Sequence, residues 1–240
     1  MICMSRKRMV GLFITGTDTG VGKTYVGAMI ARALRAGGYR VGVYKPAASG
    51  CRRERGKLIS DDAVMLWRAA GERGRLDRVC PQRFLAPLAP HLAAREEGKR
   101  LDAIRLRRGL DYWRRRSDVI LVEGAGGLMS PMGKDEYVAD LAYDFGFPLI
   151  VVARNSLGTI NQTLQTLIAA AAFREGLEVA AIVLNHSGPP GDDPSVATNR
   201  RELAARCVVP IAAEVPYGAV DFDPAVDWIA LADARSCRFN

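Results

Sequence analysis

Apolar, β-branched runs alternate with amphipathic stretches along almost the whole chain. Val10 to Thr15 reads as a strand and Gly22 to Ala36 as a helix, with Gly37-Gly38 as its stop. Arg40 to Lys45 reads as a strand, and Asp61 to Ala70 and Leu101 to Arg116 as helices. Asp118 to Val122 is a strand that runs into Gly124-Ala125-Gly126-Gly127. Pro148 to Ala153 and Glu178 to Asn185 are strands that flank a long helix, Gly158 to Glu175. A proline- and glycine-rich loop, Ser187 to Pro194, precedes a helix from Pro194 to Cys207, and Val208 to Val215 is the last strand. The strands are short and almost continuously apolar, as strands are when helices cover both faces of a parallel sheet. The alternation predicts a doubly wound α/β fold with a mostly parallel sheet. No repeat, low-complexity linker or composition break divides the chain, so residues 1–240 are expected to form one domain. In such a sheet ligands sit beyond the carboxyl ends of the strands, which makes the residues after each strand the candidates for chemistry.

Composition narrows the class. With 49% hydrophobic and 25% charged residues the balance is that of an ordinary globular protein. No run reaches the ~18 apolar residues of a membrane span. The basic start of the chain, Met1 to Ile14, ends in a short apolar stretch, but that stretch runs straight into a glycine-rich loop without a small-residue cleavage site. A signal peptide is therefore not expected, and a cytoplasmic protein is. Cys3, Cys51, Cys80, Cys207 and Cys237 are scattered without a C-x-x-C pair and read as reduced thiols. The net charge of +8 raises the question of nucleic acid. Of the basic clusters, Arg52 to Lys57 and Arg105 to Arg116, the second is the polar face of a helix whose apolar side is Leu101, Ile104, Leu106, Leu110 and Trp113. Nucleic-acid binding is not expected.

After the first strand comes Gly16-Thr17-Asp18-Thr19-Gly20-Val21-Gly22-Lys23-Thr24. It is a P-loop with one residue more than the usual spacing before Gly-Lys-Thr. Its backbone N–H groups and the following helix N-terminus can cradle phosphates, Lys23 can reach the β- and γ-phosphates, and the Thr24 hydroxyl can ligate Mg²⁺. After the second strand, Lys45 precedes Pro46. It is either a solvated strand-end lysine or a charge placed against a transferring phosphoryl group. Asp61-Asp62 opens a helix and offers either a cap or a metal ligand. Glu123 stands at the sheet edge where carboxylates of P-loop proteins hold Mg²⁺. The glycines after it are not a dinucleotide fingerprint, because Met129 takes the third glycine's place.

Three motifs in order, Gly-Thr-Asp-Thr-Gly-Val-Gly-Lys-Thr, Tyr-Lys-Pro-Ala-Ala-Ser-Gly and Val-Glu-Gly-Ala-Gly-Gly, together resemble the dethiobiotin synthetases of biotin biosynthesis. The resemblance continues through Pro90-His91, Leu157-Gly158-Thr159-Ile160-Asn161, Val183-Leu184-Asn185 and Glu214-Val215-Pro216, and so covers roughly residues 10 to 225. It implies a reaction of 7,8-diaminopelargonate, CO₂ and MgATP, with no prosthetic group. One amine takes up CO₂ as a carbamate, the carbamate oxygen attacks the γ-phosphate, and the second amine closes the ureido ring and expels phosphate. By the resemblance Lys45 is the catalytic lysine, assisted by Lys23 and Thr19. Thr24, Asp62 and Glu123 form the Mg²⁺ set, with counting from Ser49-Gly50 favouring Asp62 over Asp61. Gly20, Val21, Gly22, Tyr25, Gly124, Ala125 and Gly126 fall on the nucleotide side. Asn185 and Pro216-Tyr217-Gly218 match the adenine region, and Asp223 a later acidic contact. Ser49 matches a substrate position, and Gly158, Thr159 and Asn161 match a segment that receives the substrate carboxylate from the partner subunit of a homodimer. Gly20 departs from members that carry Glu there.

Two other P-loop classes share parts of the pattern. Amide-forming synthases of the cobyrinic acid type come with a glutaminase domain and a nucleophilic cysteine, for which this chain has no room. Partitioning-type ATPases, which act as DNA- or membrane-bound switches, carry an additional lysine early in the loop, where this chain has Thr17 and Asp18.

Overall fold

The structure, a computed structural model, describes residues 10–189 and 191–233. Cys3, Cys237 and the basic start of the chain up to Met9 lie outside these residues, as does Pro190 of the loop after the fifth long strand. Strand β1 (Val10–Gly16) is followed by helix α1 (Lys23–Ala36), which buries Val26, Met29, Ile30 and Leu34. Gly27, Ala28 and Ala31 are buried as well, so the helix is covered on more than one side and its exposed positions are Ala33, Arg35 and Ala36 near its end. The Gly37-Gly38 stop holds, with Gly37 N–H donating to Ala33 O. Strand β2 (Val41–Tyr44) comes next.

The chain then makes an excursion before rejoining the sheet. It comprises β3 (Ala47–Ala48), a hairpin of β4 (Arg52–Glu54) and β5 (Lys57–Ile59), α2 (Asp61–Ala69), α3 (Leu76–Val79), β6 (Gln82–Arg83) and α4 (Pro90–Glu96). Helix α5 (Ala103–Arg114) leads into β7 (Val119–Gly127), and α6 (Val138–Phe145) into β8 (Leu149–Arg154). The chain closes with α7 (Thr159–Ala172), β9 (Val179–Asn185), α8 (Val196–Ala204), β10 (Ile211–Val215) and α9 (Trp228–Ala232).

The six long strands form one parallel sheet in the order β10-β9-β8-β1-β7-β2. The expected fold class is therefore the observed one. Strand β1 lies between β7 and β8, where the order of connection reverses, so the loop after it opens at the topological switch point. The middle of the sheet is fully buried, with Leu12, Phe13, Ile14, Ile120, Val122, Ile150 and Val152 all at 0% exposure.

Several elements differ from the pattern. β7 does not stop at Val122 but continues through the glycines to Gly127, which pairs with Gly16. A Cβ at Gly127 would lie 3.3 Å from Gly16 O, so glycine lets the two strand ends approach. Helix α6 was not expected; it is short, yet it buries Val138, Leu141, Ala142 and Phe145, and Asp140 accepts from Tyr137 N–H at its start. Helix α9 belongs to a tail without legible pattern and is held by the Asp227 cap and buried Trp228. In α5, Leu106, Leu110 and Trp113 are buried as expected, whereas Ile104 is 63% exposed. Two positions before Leu106 is about 200° around the helix, which turns Ile104 away from the stripe. Among the described residues no helix is long and apolar enough to cross a membrane.

Candidate active site

The loop from Gly16 to Thr24 is braced from the neighbouring strands. Gly22 caps α1 with φ +97°, and a Cβ there would lie 2.0 Å from Asn185 Nδ2. Asn185 ends β9, is 2% exposed, and donates from Nδ2 to Val21 O at 2.9 Å, while its Oδ1 is buried without a partner. Only glycine fits at position 22, both for its backbone angle and for the amide packed against it. Lys23 folds back to donate to Asp18 O at 2.9 Å. Its pKa lies below the usual lysine value, chiefly because burial penalises the charge; Glu123 opposes the shift and Lys45 adds to it.

Lys45 is not solvated. It leaves β2 with 4% exposure, and its Nζ lies 2.6 Å from Glu123 Oε1 and 3.0 Å from Asp62 Oδ2. Burial alone would lower its pKa, but the two carboxylates outweigh it and hold the lysine above its usual value. Asp62 in turn sits below the usual carboxylate range: Lys45 and a hydrogen bond from it overcome the opposing effect of burial. The Asp61-Asp62 doublet is resolved by helix phase. Ser60 is the cap of α2 and accepts from Ala63 N–H, Asp61 turns outward to Arg52 at 2.8 Å, and Asp62 turns inward to Lys45. Thr24 donates its hydroxyl to Glu123 Oε1 at 2.9 Å, and Glu123 Oε2 is buried with no partner.

These groups share a cavity of about 470 Å³, which Thr19, Gly20, Gly22, Tyr25, Ser49, Ala125 and Gly126 also line. Val21 is buried beneath the loop, and Gly124 faces α6, where a Cβ would meet Val138 Cγ1 at 2.7 Å. Tyr25 donates its hydroxyl to Ala219 O, which ties the loop's helix to the segment after β10.

A larger cleft of about 830 Å³ lies beyond β8, β9 and β10. Pro216 and Tyr217 line it, Gly218 follows with φ +78°, and Asp223 lines neither cavity. Sequence reasoning missed its other polar walls. Asn155 Nδ2 donates to Glu214 Oε1 at 2.8 Å, His186 Nε2 lies 2.9 Å from the same oxygen, and Asn199 Nδ2 donates to Asn155 Oδ1 at 2.8 Å. Arg154 opens the same wall. The signal was available, since Arg154, Asn155 and His186 end or follow their strands, but each stands outside a motif.

Gly158, Thr159 and Asn161 start α7 away from the phosphate cavity. The segment is not a row of free donors, because Leu157 N–H donates to Asp193 and Thr159 N–H to Ser156 O. One turn further, Gln162, Gln165 and Thr166 line a third cavity of about 380 Å³ together with Asp18 and Ser130. The inward face of α7 is Thr159, Thr163, Thr166 and Ala170, while Ile168 is 67% and Leu157 83% exposed.

A parallel sheet with a phosphate-binding loop at its switch point, a buried lysine and two facing carboxylates defines a P-loop nucleotide-binding protein. The profile of an AAA domain family matches residues 10–220. The chain is 42% identical over 214 residues to the ATP-dependent dethiobiotin synthetase of Rhodopirellula baltica, covering 85% of this chain and 82% of that protein. It is 46% identical over 196 residues to that of Anaeromyxobacter dehalogenans (82% and 85% covered) and 38% identical over 214 residues to that of Thermodesulfovibrio yellowstonii (86% and 88%). The chain belongs to the ATP-dependent dethiobiotin synthetase family. Among solved structures, the FtsY protein of Thermotoga maritima superimposes with a TM-score of 0.48 at 14% identity, over 92% of this chain and 66% of that one.

Proposed function

We propose that the protein converts 7,8-diaminopelargonate and CO₂ to dethiobiotin at the expense of ATP, as a C–N bond-forming ligase of biotin biosynthesis. The observation that carries this reading is the convergence of Lys23, Lys45, Thr24, Asp62 and Glu123 in one cavity at the carboxyl edge of the sheet. Phosphoryl transfer to a carbamate needs positioning and neutralisation of charge more than covalent catalysis, and these residues supply both.

The N–H groups of Gly20 to Thr24 and the Lys23 ammonium receive the phosphates. Lys45, held protonated by its carboxylates, faces the developing charge as the carbamate oxygen bonds to the γ-phosphorus and ADP departs. The second amine then attacks the carbamoyl carbon, loses its proton and expels phosphate, which closes the ring. Thr19 and Ser49 line the same cavity and orient the diamine. Thr24, Asp62 and Glu123 would hold Mg²⁺: the unpartnered buried Glu123 Oε2 is an oxygen suited to a hard cation, and two carboxylates with a hydroxyl leave room for phosphate ligands. When bound, Mg²⁺ offsets the charge of the β- and γ-phosphates. Asn185, with its unpartnered Oδ1, is buried against the loop at Val21, and Pro216 and Tyr217 line the cleft that would take the base.

The working unit on this reading is a homodimer in the cytoplasm. Leu157 and Ile168 are exposed, and Ile160, Leu164 and Leu167 are only half-buried, so α7 keeps an apolar face that its own sheet does not cover. Gly158, Thr159 and Asn161 of one subunit would receive the substrate carboxylate of the other. Incubation with diaminopelargonate, ¹³C-bicarbonate and MgATP tests the reaction. The account expects dethiobiotin carrying the ¹³C label; a folded, ATP-binding protein that yields none would refute it.

A further inference from the structure

We infer that Arg154 is a phosphate ligand of the nucleotide site, a guanidinium stationed between the two cavities to hold the phosphate chain of a nucleoside triphosphate. The inference rests on the nucleotide reading above and adds a residue that neither the motifs nor the phosphate cavity contain.

Strand β8 runs beside β1, with Val152 paired to Gly16, so the last residue of β8 emerges next to the phosphate-binding loop. Arg154 is that residue, and its Nη2 donates to Gly20 O at 3.0 Å. Gly20 lines the smaller cavity and Arg154 the larger cleft. Their contact is therefore the junction of the two, and a ligand with its phosphates in one and its base in the other must pass over it. A guanidinium carries five N–H donors, of which the Gly20 carbonyl takes one. Among the described residues no carboxylate forms an ion pair with Arg154. Arg154 is exposed to the cleft, so its remaining donors are open to an anion. Lys23 and Lys45 line the smaller cavity, and Arg154 is the cationic side chain on the cleft side of this junction.

The glycine at position 20 completes the arrangement. Its φ of +73° lies in the left-handed region, and a Cβ there would stand 3.5 Å from Arg154 Nη2. A longer side chain at position 20 would share the space of the guanidinium; glycine leaves the planar fork free to meet phosphate oxygens.

Calorimetric titration of the full chain with MgATP, MgADP and adenosine, for wild type, Arg154→Gln and Arg154→Lys, separates a ligand from a latch that only steadies the loop. As a ligand, Arg154→Gln weakens MgATP and MgADP on the order of tenfold or more, leaves adenosine unchanged, and reduces the salt dependence of MgATP binding. Arg154→Lys recovers part of the loss, and the melting temperature of the ligand-free protein does not move. MgATP bound by Arg154→Gln as tightly as by wild type would overturn the inference alone, as would an equal loss for adenosine. Wild type that binds no MgATP would overturn the nucleotide reading with it.

Discussion

Lys45 Nζ lies 2.6 Å from Glu123 Oε1, with the two side chains 5% and 1% exposed. A cation and an anion buried together at the carboxyl edge of a sheet are costly to desolvate and are worth more to chemistry than to stability. Each half of the pair therefore gives a separate prediction.

Lys45→Ala is expected to lower turnover by about 10²–10³-fold or more, the usual cost of losing one preorganised charge contact in a transition state. It also leaves Glu123 buried without its cation, which costs a few kcal/mol as an order of magnitude. The double variant Lys45→Ala/Glu123→Gln should regain melting temperature and no activity. Activity like that of wild type in folded Lys45→Ala would remove the lysine from the mechanism.

Glu123→Gln should raise the Mg²⁺ concentration needed for half-maximal turnover while ATP still binds, because an amide is a poorer ligand for a hard cation. An unchanged midpoint in a Mg²⁺ titration would count against Glu123 in the metal set.

The aspartate doublet gives an internal control. Asp61→Asn loses an exposed pairing with Arg52 and is expected to change stability by less than about 1 kcal/mol, with kcat preserved. Asp62→Asn removes a partner of Lys45 and should impair turnover. Equal effects of the two would mean that α2 is turned differently.

Alkaline stability should report on the buried Cys80. Burial pushes its thiol from 9.0 up to about 12. The unfolded chain releases that proton first, so stability is unaffected by it below pH 9.0 and falls as pH rises toward about 12. Buried Tyr44, shifted upward mainly by burial, adds to the loss above pH 10.0. Cys80→Ala should flatten the decline of melting temperature over the first part of this range; an unaltered slope would contradict the assignment.

If two subunits share each substrate site, Lys45→Ala mixed with an inactive Asn161 variant should recover about a quarter of wild-type activity, since half of the dimers are mixed and each holds one intact site. Ile168→Asp should give inactive monomers by sedimentation. A fully active monomer would sink the shared site.

Much of this was legible in the chain because it obeys local rules. The loop from Gly16 to Thr24, Lys45 and Glu123 each follow an apolar strand, and the strand-end rule collects them before any contact is known. Counting from Ser49-Gly50 favoured Asp62 over Asp61, and the Ser60 cap, which sets the phase of α2, gives the physical reason. Asn155 and His186 escaped because their partnership with Glu214 joins three strands that are neighbours in the sheet and distant in sequence. Helix α6 escaped because eight residues give too few turns for a period to stand out, and Ile104 because an apolar residue was counted without its angle.

The most direct test of the account is to measure dethiobiotin and phosphate in parallel, with diaminopelargonate, bicarbonate, Mg²⁺ and ATP all present and with each left out in turn. The account predicts equimolar dethiobiotin and phosphate with the complete mixture, and neither when the diamine is absent. Phosphate released at the same rate without the diamine, and no dethiobiotin with it, would contradict the account.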